Sequence, residues 1–226
     1  MLITLAEKIS PENAALLIID MQNDFWNPEA PPAKLHGRDI SMASAMIDRL
    51  LALVARARAA GLPIIHVRHE EPGWAMSESS NELRWQQKAR RTAALPNIDY
   101  QLCQPGTFGV EFYRVVPEPG DIVVTKHRYS AFVGTDLGLV LRSLNRKSLL
   151  LCGGSTNICL ESTTRDGFML DYYCVVVGDC SATAWGDAAH RAALANIELG
   201  FGQVADLANV CEAWGEHRNA SPRAYF

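Results

Sequence analysis

The stretch Leu149-Leu-Leu-Cys-Gly-Gly-Ser-Thr-Asn-Ile-Cys159 joins an apolar run to a helix-compatible segment through two glycines. The pattern predicts a buried strand, a tight turn and a helix that begins at Cys159. The first turn of a helix offers free N–H groups and partial positive charge, and both favour a thiolate. Cys159 is therefore a candidate nucleophile. The alternative is a buried structural cysteine, because free cysteines are among the most buried residues.

Two other apolar runs deliver an ionisable residue at their carboxyl ends. Asp20 follows the run Ala14–Ile19, and Lys126 follows the run Asp121–Thr125. Ligands of open α/β sheets bind at the carboxyl edge of the strands. We expect Asp20 to take the thiol proton there and Lys126 to stabilise the anions. Alternatively, Asp20 caps a turn and Lys126 is a solvated lysine at a strand end.

Strand-like and helix-like segments alternate along the chain. The predicted strands are Ala14–Asp20, Pro63–Val67, Asp121–Thr125, Ser148–Cys152, Tyr173–Val177 and Gln203–Ala205. The predicted helices are Asp39–Ala60, Thr135–Leu144, Cys159–Leu170, Gly186–Leu199 and Asn209–Trp214. Continuous apolar strands separated by helices are typical of a parallel sheet covered on both faces. The sequence predicts a three-layer α/β/α fold, in one domain over residues 1–226.

A long polar segment, His69–Arg114, interrupts this alternation. Connections of this length in a compact domain usually form a lid, a binding loop or a contact between subunits. Part of the segment, Ser77–Arg91, is a predicted helix.

Composition excludes several classes of partner. The 226 residues are 48% hydrophobic with a net charge of −4 and a pI near 5.9. The sequence contains no basic block that could bind along a phosphate backbone, so no nucleic-acid partner is expected. No apolar run approaches the roughly 20 residues that span a bilayer. The first residues have no basic start followed by a long apolar stretch, so secretion is not expected. The six cysteines are scattered, which favours reduced thiols in a cytoplasmic protein.

Three stretches resemble the signature stretches of the isochorismatase-like cysteine hydrolases: Ile18–Phe25, Lys126–Phe132 and Gly154–Phe168. The resemblance extends from about Ala14 to Trp214. It implies a six-stranded parallel sheet and no cofactor, and family members usually form homo-oligomers, as dimers or tetramers. It also implies a triad of Asp20, Lys126 and Cys159, a cis peptide between Gly154 and Ser155, and an oxyanion hole made by the N–H groups of Ser155 and Cys159.

The chemistry within this family depends on the nucleophile and on a metal motif. Some isochorismatases, which cleave a vinyl ether, carry glycine in place of Cys159, so the thiol favours amide hydrolysis. Nicotinamidases carry an Asp-x-His metal motif, and the stretch Lys34–Asp39 lacks that spacing. His66 and His69 do not stand at ligand spacing from a carboxylate. No metal is expected.

Within the metal-free amidases, the chain most resembles ureidoacrylate amidohydrolases, with biuret and carbamoylsarcosine hydrolases next. It departs from that group at His127, where proline is usual, and at Ser155, where alanine is usual. The expected reaction cleaves a terminal ureido, carbamoyl or amide C–N bond of a small molecule and releases ammonia. Vinyl-ether hydrolysis and a non-catalytic binding protein on the same fold are the alternatives.

Eight residues are candidates for substrate contact: Asn23, Phe25, Trp26, Trp74, Asn81, Arg128, Tyr129 and Phe132. Arg128 could pair with a substrate carboxylate in a bidentate way, or it could be a solvated surface arginine.

Overall fold

Six parallel strands form one sheet in the computed structural model, which describes residues 1–34, 38–75, 78–79 and 100–219. The strands are β1 (Ala14–Ile19), β2 (Ile64–His69), β3 (Ile122–Lys126), β4 (Ser148–Gly154), β5 (Tyr173–Ala182) and β6 (Gln203–Ala205). Their order across the sheet is β3-β2-β1-β4-β5-β6, and every adjacent pair is parallel. The predicted six-stranded α/β/α fold is confirmed.

The α-helices of the described ranges vary from one turn to five. They are α1 (Leu5–Lys8), α2 (Asn23–Trp26), α3 (Pro31–Lys34), α4 (Ala43–Ala60), α5 (Leu137–Ser143), α6 (Glu161–Met169), α7 (Asp187–Gly200) and α8 (Leu207–Asn219). None of these segments is long and apolar enough to cross a bilayer. The helix predicted over Ser77–Arg91 lies outside the described residues except at positions 78–79.

Helices cover both faces of the sheet because successive strand residues point to opposite sides. In β1, Leu16 and Ile18 belong to one buried cluster, together with residues of α4 and α8. Leu17 and Ile19 belong to a second cluster on the other face, together with residues of α5 and α7. All six residues of β1 are buried, as expected for a central strand, and burying each large aliphatic side chain contributes about 1.5–3 kcal/mol.

Helix α4 illustrates how the spacing of apolar side chains and a glycine at the end determine a helix and its bounds. Met46, Leu50, Leu53 and Ala57 recur at helical spacing and are all buried, so they form the stripe that packs on the sheet. The helix ends at Gly61, which adopts a left-handed conformation with φ 83° and donates its N–H to the last turn. Glycine accepts that conformation without steric penalty.

The strand order creates a crevice at the carboxyl edge of the sheet. From β1 the chain moves outward to β2 and β3, and it then returns to place β4 on the other side of β1. Such a reversal leaves a gap between the connections that follow β1 and β4, and ligands of open α/β sheets bind there. Of the predicted site residues, Asp20 follows β1 and Cys159 follows β4.

Candidate active site

Asp20, Lys126 and Cys159 meet at this crevice. The Lys126 ammonium nitrogen lies 2.8 Å from Asp20 Oδ2 and 3.5 Å from Cys159 Sγ. The thiol and the Asp20 carboxylate are close enough that each shifts the pKa of the other. The three residues are buried, with 0%, 1% and 8% of their surfaces exposed for Lys126, Asp20 and Cys159. The structure thus brings together the three side chains that the sequence placed at separate strand ends.

Asp20 is held in an unusual backbone conformation directly after β1. Its φ is 51°, in the left-handed region that few residues other than glycine adopt. The backbone N–H of Asp20 donates to the Val67 carbonyl at 2.9 Å, and its own carbonyl accepts from the Trp26 indole at 3.0 Å. These bonds on both sides of the residue fix the direction of its carboxylate.

Lys126 reaches the site from the edge of the sheet. It is the last residue of β3, and β2 lies between β3 and β1. The side chain must therefore extend past the end of β2 to approach Asp20. Its ammonium group also donates to the Arg128 carbonyl at 3.1 Å and lies 3.4 Å from His69 Nδ1.

The turn after β4 carries Cys159 inside a π-helical segment, Thr156–Leu160, from which α6 continues. Helical structure therefore begins at Thr156, three residues before the predicted start at Cys159. A Cβ on Gly153, whose φ is 97°, would overlap the Ile19 carbonyl, and a Cβ on Gly154 would overlap the Ala182 carbonyl. Only glycine allows the turn to pass this close to its neighbours. The peptide bond between Gly154 and Ser155 is cis, as the resemblance implies.

Threonine hydroxyls fasten this turn to its surroundings. Thr163 donates to the Cys159 carbonyl at 2.7 Å and accepts the Ala131 N–H at 3.0 Å, so it connects the Cys159 turn with the loop after Lys126. On the other side, Thr156 Oγ1 lies 2.9 Å from His190 Nδ1 of α7. The Cys159 turn is thus held by contacts with two elements outside it, the loop after Lys126 and α7.

Burial decides the protonation of the thiol. It raises the pKa of Cys159 to about 12, because the attraction of Lys126 offsets only part of the desolvation and Asp20 adds to it. Burial likewise raises the pKa of Asp20 against the pull of Lys126. Burial opposes the charge of Lys126, yet Asp20 and Cys159 together raise the pKa of the ammonium group. These directions agree with the expected role of Asp20, because a thiol with a raised pKa needs a base and a buried carboxylate is a stronger base than a solvated one.

The two histidines of β2 have separate partners. His69 Nε2 lies 2.6 Å from Glu71 Oε1, within the crevice. His66 Nε2 lies 3.3 Å from Asp121 Oδ2, and Arg58 binds the same carboxylate through two contacts of 2.9 Å. Within the described ranges, no three His, Cys, Asp or Glu side chains are grouped so that they could hold a metal ion.

Three of the substrate-contact candidates belong to α2, and only one of them faces the crevice. The half-buried Phe25 ring lies 6.1 Å from the His69 ring. Trp26 is instead 1% exposed and packs in the core. The Asn23 amide donates to the Phe108 carbonyl at 2.8 Å, so it anchors a loop.

The candidates from the loop after β3 are placed differently from the prediction. Phe132 stacks on Tyr172 at 5.8 Å, and Tyr172 precedes β5 at the amino edge of the sheet. The predicted substrate contact of Phe132 is therefore wrong, because its ring packs on the side of the sheet away from the crevice. Arg128 Nη1 donates to the carbonyls of Ala75 and His127 at 2.8 and 2.7 Å.

The remaining candidates are exposed or undescribed. Tyr129 is 42% exposed and Trp74 is 78% exposed, with the Trp74 ring packed edge-on against His127 at 4.9 Å. Asn81 lies outside the described residues.

Sequence reasoning missed Arg38, which lies next to the Cys159 turn. Its Nη2 is 3.5 Å from Ser155 Oγ, and its Nε donates to the Phe25 carbonyl at 3.2 Å. The guanidinium lies 5.2 Å over the Phe25 ring, a favourable cation–π contact. No spacing in the sequence relates Arg38 to the three strand ends, since it belongs to the connection between α3 and α4.

Known proteins share this fold and this order of elements. The isochorismatase domain matches residues 14–209. The crystal structure of a cysteine hydrolase from Pseudomonas syringae pv. phaseolicola 1448A has a TM-score of 0.76 and 26% identity, covering 92% of this chain and 95% of its own. An isochorismatase family protein from Desulfovibrio vulgaris has a TM-score of 0.74 and 29% identity, covering 90% and 98%. The nicotinamidase of Bacillus subtilis, at 24% identity, has a TM-score of 0.67 over 86% of this chain and 99% of its own.

Proposed function

Because the chain belongs to the isochorismatase family of hydrolases, we propose that it is a cysteine-dependent amidohydrolase of small molecules. It would cleave a terminal ureido, carbamoyl or amide C–N bond and release ammonia, with a ureidoacrylate-like compound as the first choice of substrate. One observation carries the proposal: the buried Lys126 ammonium lies within contact distance of both Asp20 Oδ2 and Cys159 Sγ.

The reaction begins with proton transfer within the triad. Asp20 accepts the thiol proton as the Cys159 sulfur forms a bond to the carbonyl carbon of the substrate. Lys126 stabilises the negative charge that the sulfur carries during this transfer, because it retains its own positive charge. The carbonyl oxygen becomes an oxyanion, for which the backbone N–H groups of Ser155 and Cys159 are the proposed donors.

Collapse of this intermediate breaks the C–N bond. Asp20 returns its proton to the leaving nitrogen, so ammonia departs and an acyl or carbamoyl thioester remains on Cys159. Asp20, again a carboxylate, then removes a proton from a water molecule that adds to the thioester carbon. The sulfur leaves and regains the proton, which restores the resting thiol. These steps use side chains and backbone N–H groups of this protein together with one water molecule.

The position of Arg38 favours a substrate that carries a carboxylate. Its guanidinium lies beside Ser155 and over Phe25, so it presents positive charge at the turn that carries the nucleophile. Guanidinium groups bind carboxylates in a bidentate way. Arg38 replaces Arg128 in this role, because Arg128 is exposed and bonded to backbone carbonyls. Ureidoacrylate, carbamoylsarcosine and maleamate carry the required carboxylate, whereas biuret and nicotinamide do not.

The proposal is tested by measuring ammonia release from these five compounds with the wild-type protein and with Cys159→Ala. Loss of the nucleophile should lower turnover by at least about 10³-fold while the circular dichroism spectrum stays unchanged. Cys211→Ala is the matched control. Cys211 is a half-buried cysteine of α8, the helix that follows β6 at the opposite side of the sheet from β3, so its substitution should leave turnover intact.

Two results would count against amide hydrolysis through the thiol. Undiminished ammonia release by Cys159→Ala would exclude the nucleophile, and cleavage of isochorismate by that variant would indicate vinyl-ether chemistry instead. We also propose that the protein is cytoplasmic, that it forms a homo-oligomer and that its partners are small molecules. Sedimentation velocity tests the assembly.

A further inference from the structure

A second buried pair of side chains adjoins the Lys126 ammonium group. His69 Nε2 lies 2.6 Å from Glu71 Oε1, and the two side chains are 6% and 3% exposed. The other ring nitrogen, Nδ1, lies 3.4 Å from Lys126 Nζ. His69 ends β2 directly opposite Lys126 in the register of β2 with β3. Glu71, His69 and Lys126 therefore form a continuous polar chain that enters the triad from the side opposite the Cys159 turn.

The chemistry of the three groups fixes the direction of their hydrogen bonds. An ammonium group only donates, so His69 Nδ1 must accept from Lys126. The ring proton then resides on Nε2, which donates to the Glu71 carboxylate. A carboxylate that accepts from one ring nitrogen makes the other nitrogen a better acceptor. The neutral imidazole thus brings the influence of the Glu71 charge to Lys126.

The backbone around the pair is fastened on both sides. The Gln22 side chain accepts the His69 N–H and donates to the His69 carbonyl, both at 2.8 Å, and it also donates to the Val110 carbonyl at 2.8 Å. The Glu71 N–H donates to the Cys103 carbonyl at 3.0 Å. Movement of the imidazole away from Lys126 would break several of these buried bonds, each of which is costly to lose.

Lys126 faces more acceptors than it has hydrogens. Its three N–H groups are shared by Asp20 Oδ2 at 2.8 Å, the Arg128 carbonyl at 3.1 Å, His69 Nδ1 at 3.4 Å and Cys159 Sγ at 3.5 Å. Asp20 and Cys159 exchange a proton in every proposed catalytic cycle, so their attraction for the ammonium group changes. The contacts with His69 and with the Arg128 carbonyl take no part in that exchange.

We propose that Glu71 and His69 are a positioning pair, which keeps the Lys126 ammonium in place while Asp20 gains and loses its proton. The inference rests on the proposed function, since it assigns the pair a role in the same reaction. Neither residue touches the reacting atoms. Their effect passes through Lys126 to the thiol.

Two substitutions of His69 separate its two contacts. His69→Asn keeps an acceptor at the position of Nδ1 and loses the contact with Glu71. His69→Gln keeps a donor for Glu71 and loses the acceptor for Lys126. We expect His69→Gln to lower kcat roughly 10-fold to 100-fold with little change in KM, because small displacements of catalytic groups have effects of that size. His69→Asn should recover most of the loss.

A second readout needs no substrate. Lys126 lowers the pKa of the Cys159 thiol, so a displaced ammonium group should raise it, and a rise of one unit slows alkylation about tenfold below that pKa. Iodoacetamide labelling of Cys159 at pH 9, followed by mass spectrometry, should be slowest in His69→Gln and closer to the wild-type rate in His69→Asn. His66→Gln is the matched control, because His66 contacts Asp121 and not Lys126.

The outcomes distinguish this inference from the proposed function. If the wild-type protein releases no ammonia, the labelling rates still test the pair. Wild-type labelling of His69→Gln would overturn the inference, as would equal impairment of the Asn and Gln variants, which would indicate lost packing. If the His69 variants fail to fold, the isosteric Glu71→Gln should slow labelling two- to tenfold, and an unchanged rate would overturn the inference.

Discussion

The Trp26 indole donates a hydrogen bond of 3.0 Å to the backbone carbonyl of Asp20. The same ring adjoins Gly154, since a Cβ on that glycine would meet the indole carbons. One buried side chain thus contacts both chain segments of the crevice, the one that carries Asp20 and the one that leads to Cys159. Trp26 is a support of the site and not a wall exposed to substrate.

Trp26→Phe should weaken this support without emptying the core. The variant removes one of the hydrogen bonds to the Asp20 carbonyl, which still accepts the Gln22 N–H, and the loss of one such bond costs about 0.5–1.5 kcal/mol. Urea denaturation monitored by circular dichroism measures the loss. Trp74→Phe is the control, because Trp74 is 78% exposed, and its stability should stay within about 0.5 kcal/mol of the wild type. Equal stability of the two variants would argue against the role of the indole hydrogen bond.

Lys126→Met should destabilise the fold as well as abolish activity. It leaves the Asp20 carboxylate buried without its cation, which typically costs about 3–5 kcal/mol. The pKa of Asp20 is already raised by burial and should rise further in the variant. The native state then binds more protons than the unfolded state, so the free energy of unfolding should increase as pH falls from 7 to 5.

Denaturant titrations at both pH values test this sign, with Asp20→Asn/Lys126→Met as the reference. The double variant has no buried charge at this pair and should show neither the deficit nor the added pH dependence. A deficit that is the same at pH 5 and pH 7 would contradict a buried, ionised Asp20.

Labelling of Cys159 should have the pH dependence of a thiol and not of a standing thiolate. Since burial raises the pKa of Cys159 to about 12, the rate constant for iodoacetamide should keep rising about tenfold per pH unit through pH 9 to 10. Mass spectrometry of the Cys159 peptide measures it. A plateau below pH 8 would show that Lys126 already holds the sulfur as an anion.

Arg38→Met should separate substrates by charge. Loss of the guanidinium should raise KM for ureidoacrylate, carbamoylsarcosine or maleamate by roughly 10-fold to 100-fold, the loss expected when a charged hydrogen bond of about 1.5–3 kcal/mol is removed. Activity on uncharged biuret should not change. Arg128→Met is the matched control, because it also removes one arginine from the loops at this edge. A larger effect of Arg128→Met would return the carboxylate contact to that residue.

The sequence predicts what depends on local pattern. Apolar runs that end in Asp20 and Lys126 predict strand ends, and parallel strands bring their carboxyl ends to one edge, so the meeting of the triad follows from periodicity and topology. Strand boundaries move by a few residues: β5 continues to Ala182, five residues beyond the predicted end. Pairing across the sheet extends a strand that its apolar run alone would end.

What depends on three-dimensional packing could not be predicted. Phe132 ends the signature stretch that begins at Lys126, but the loop turns its ring toward Tyr172. His69 and Glu71 lie two residues apart, and nothing in their spacing reveals that both face inward. The raised pKa of the Cys159 thiol also could not be predicted, because desolvation depends on how deeply Cys159 is covered.

The position of Lys126 on an outermost strand links the chemistry to local opening of the fold. Among the described residues β3 pairs with β2 alone, and segments with few neighbours open locally at a lower free energy than global unfolding. Arg58 and Asp121 form an ion pair next to the amino end of β3, at the opposite end of the strand from Lys126. Weakening the Arg58–Asp121 ion pair should therefore lengthen the time during which the Lys126 ammonium is displaced. The turnover number of the proposed reaction would then depend on how often β3 opens locally.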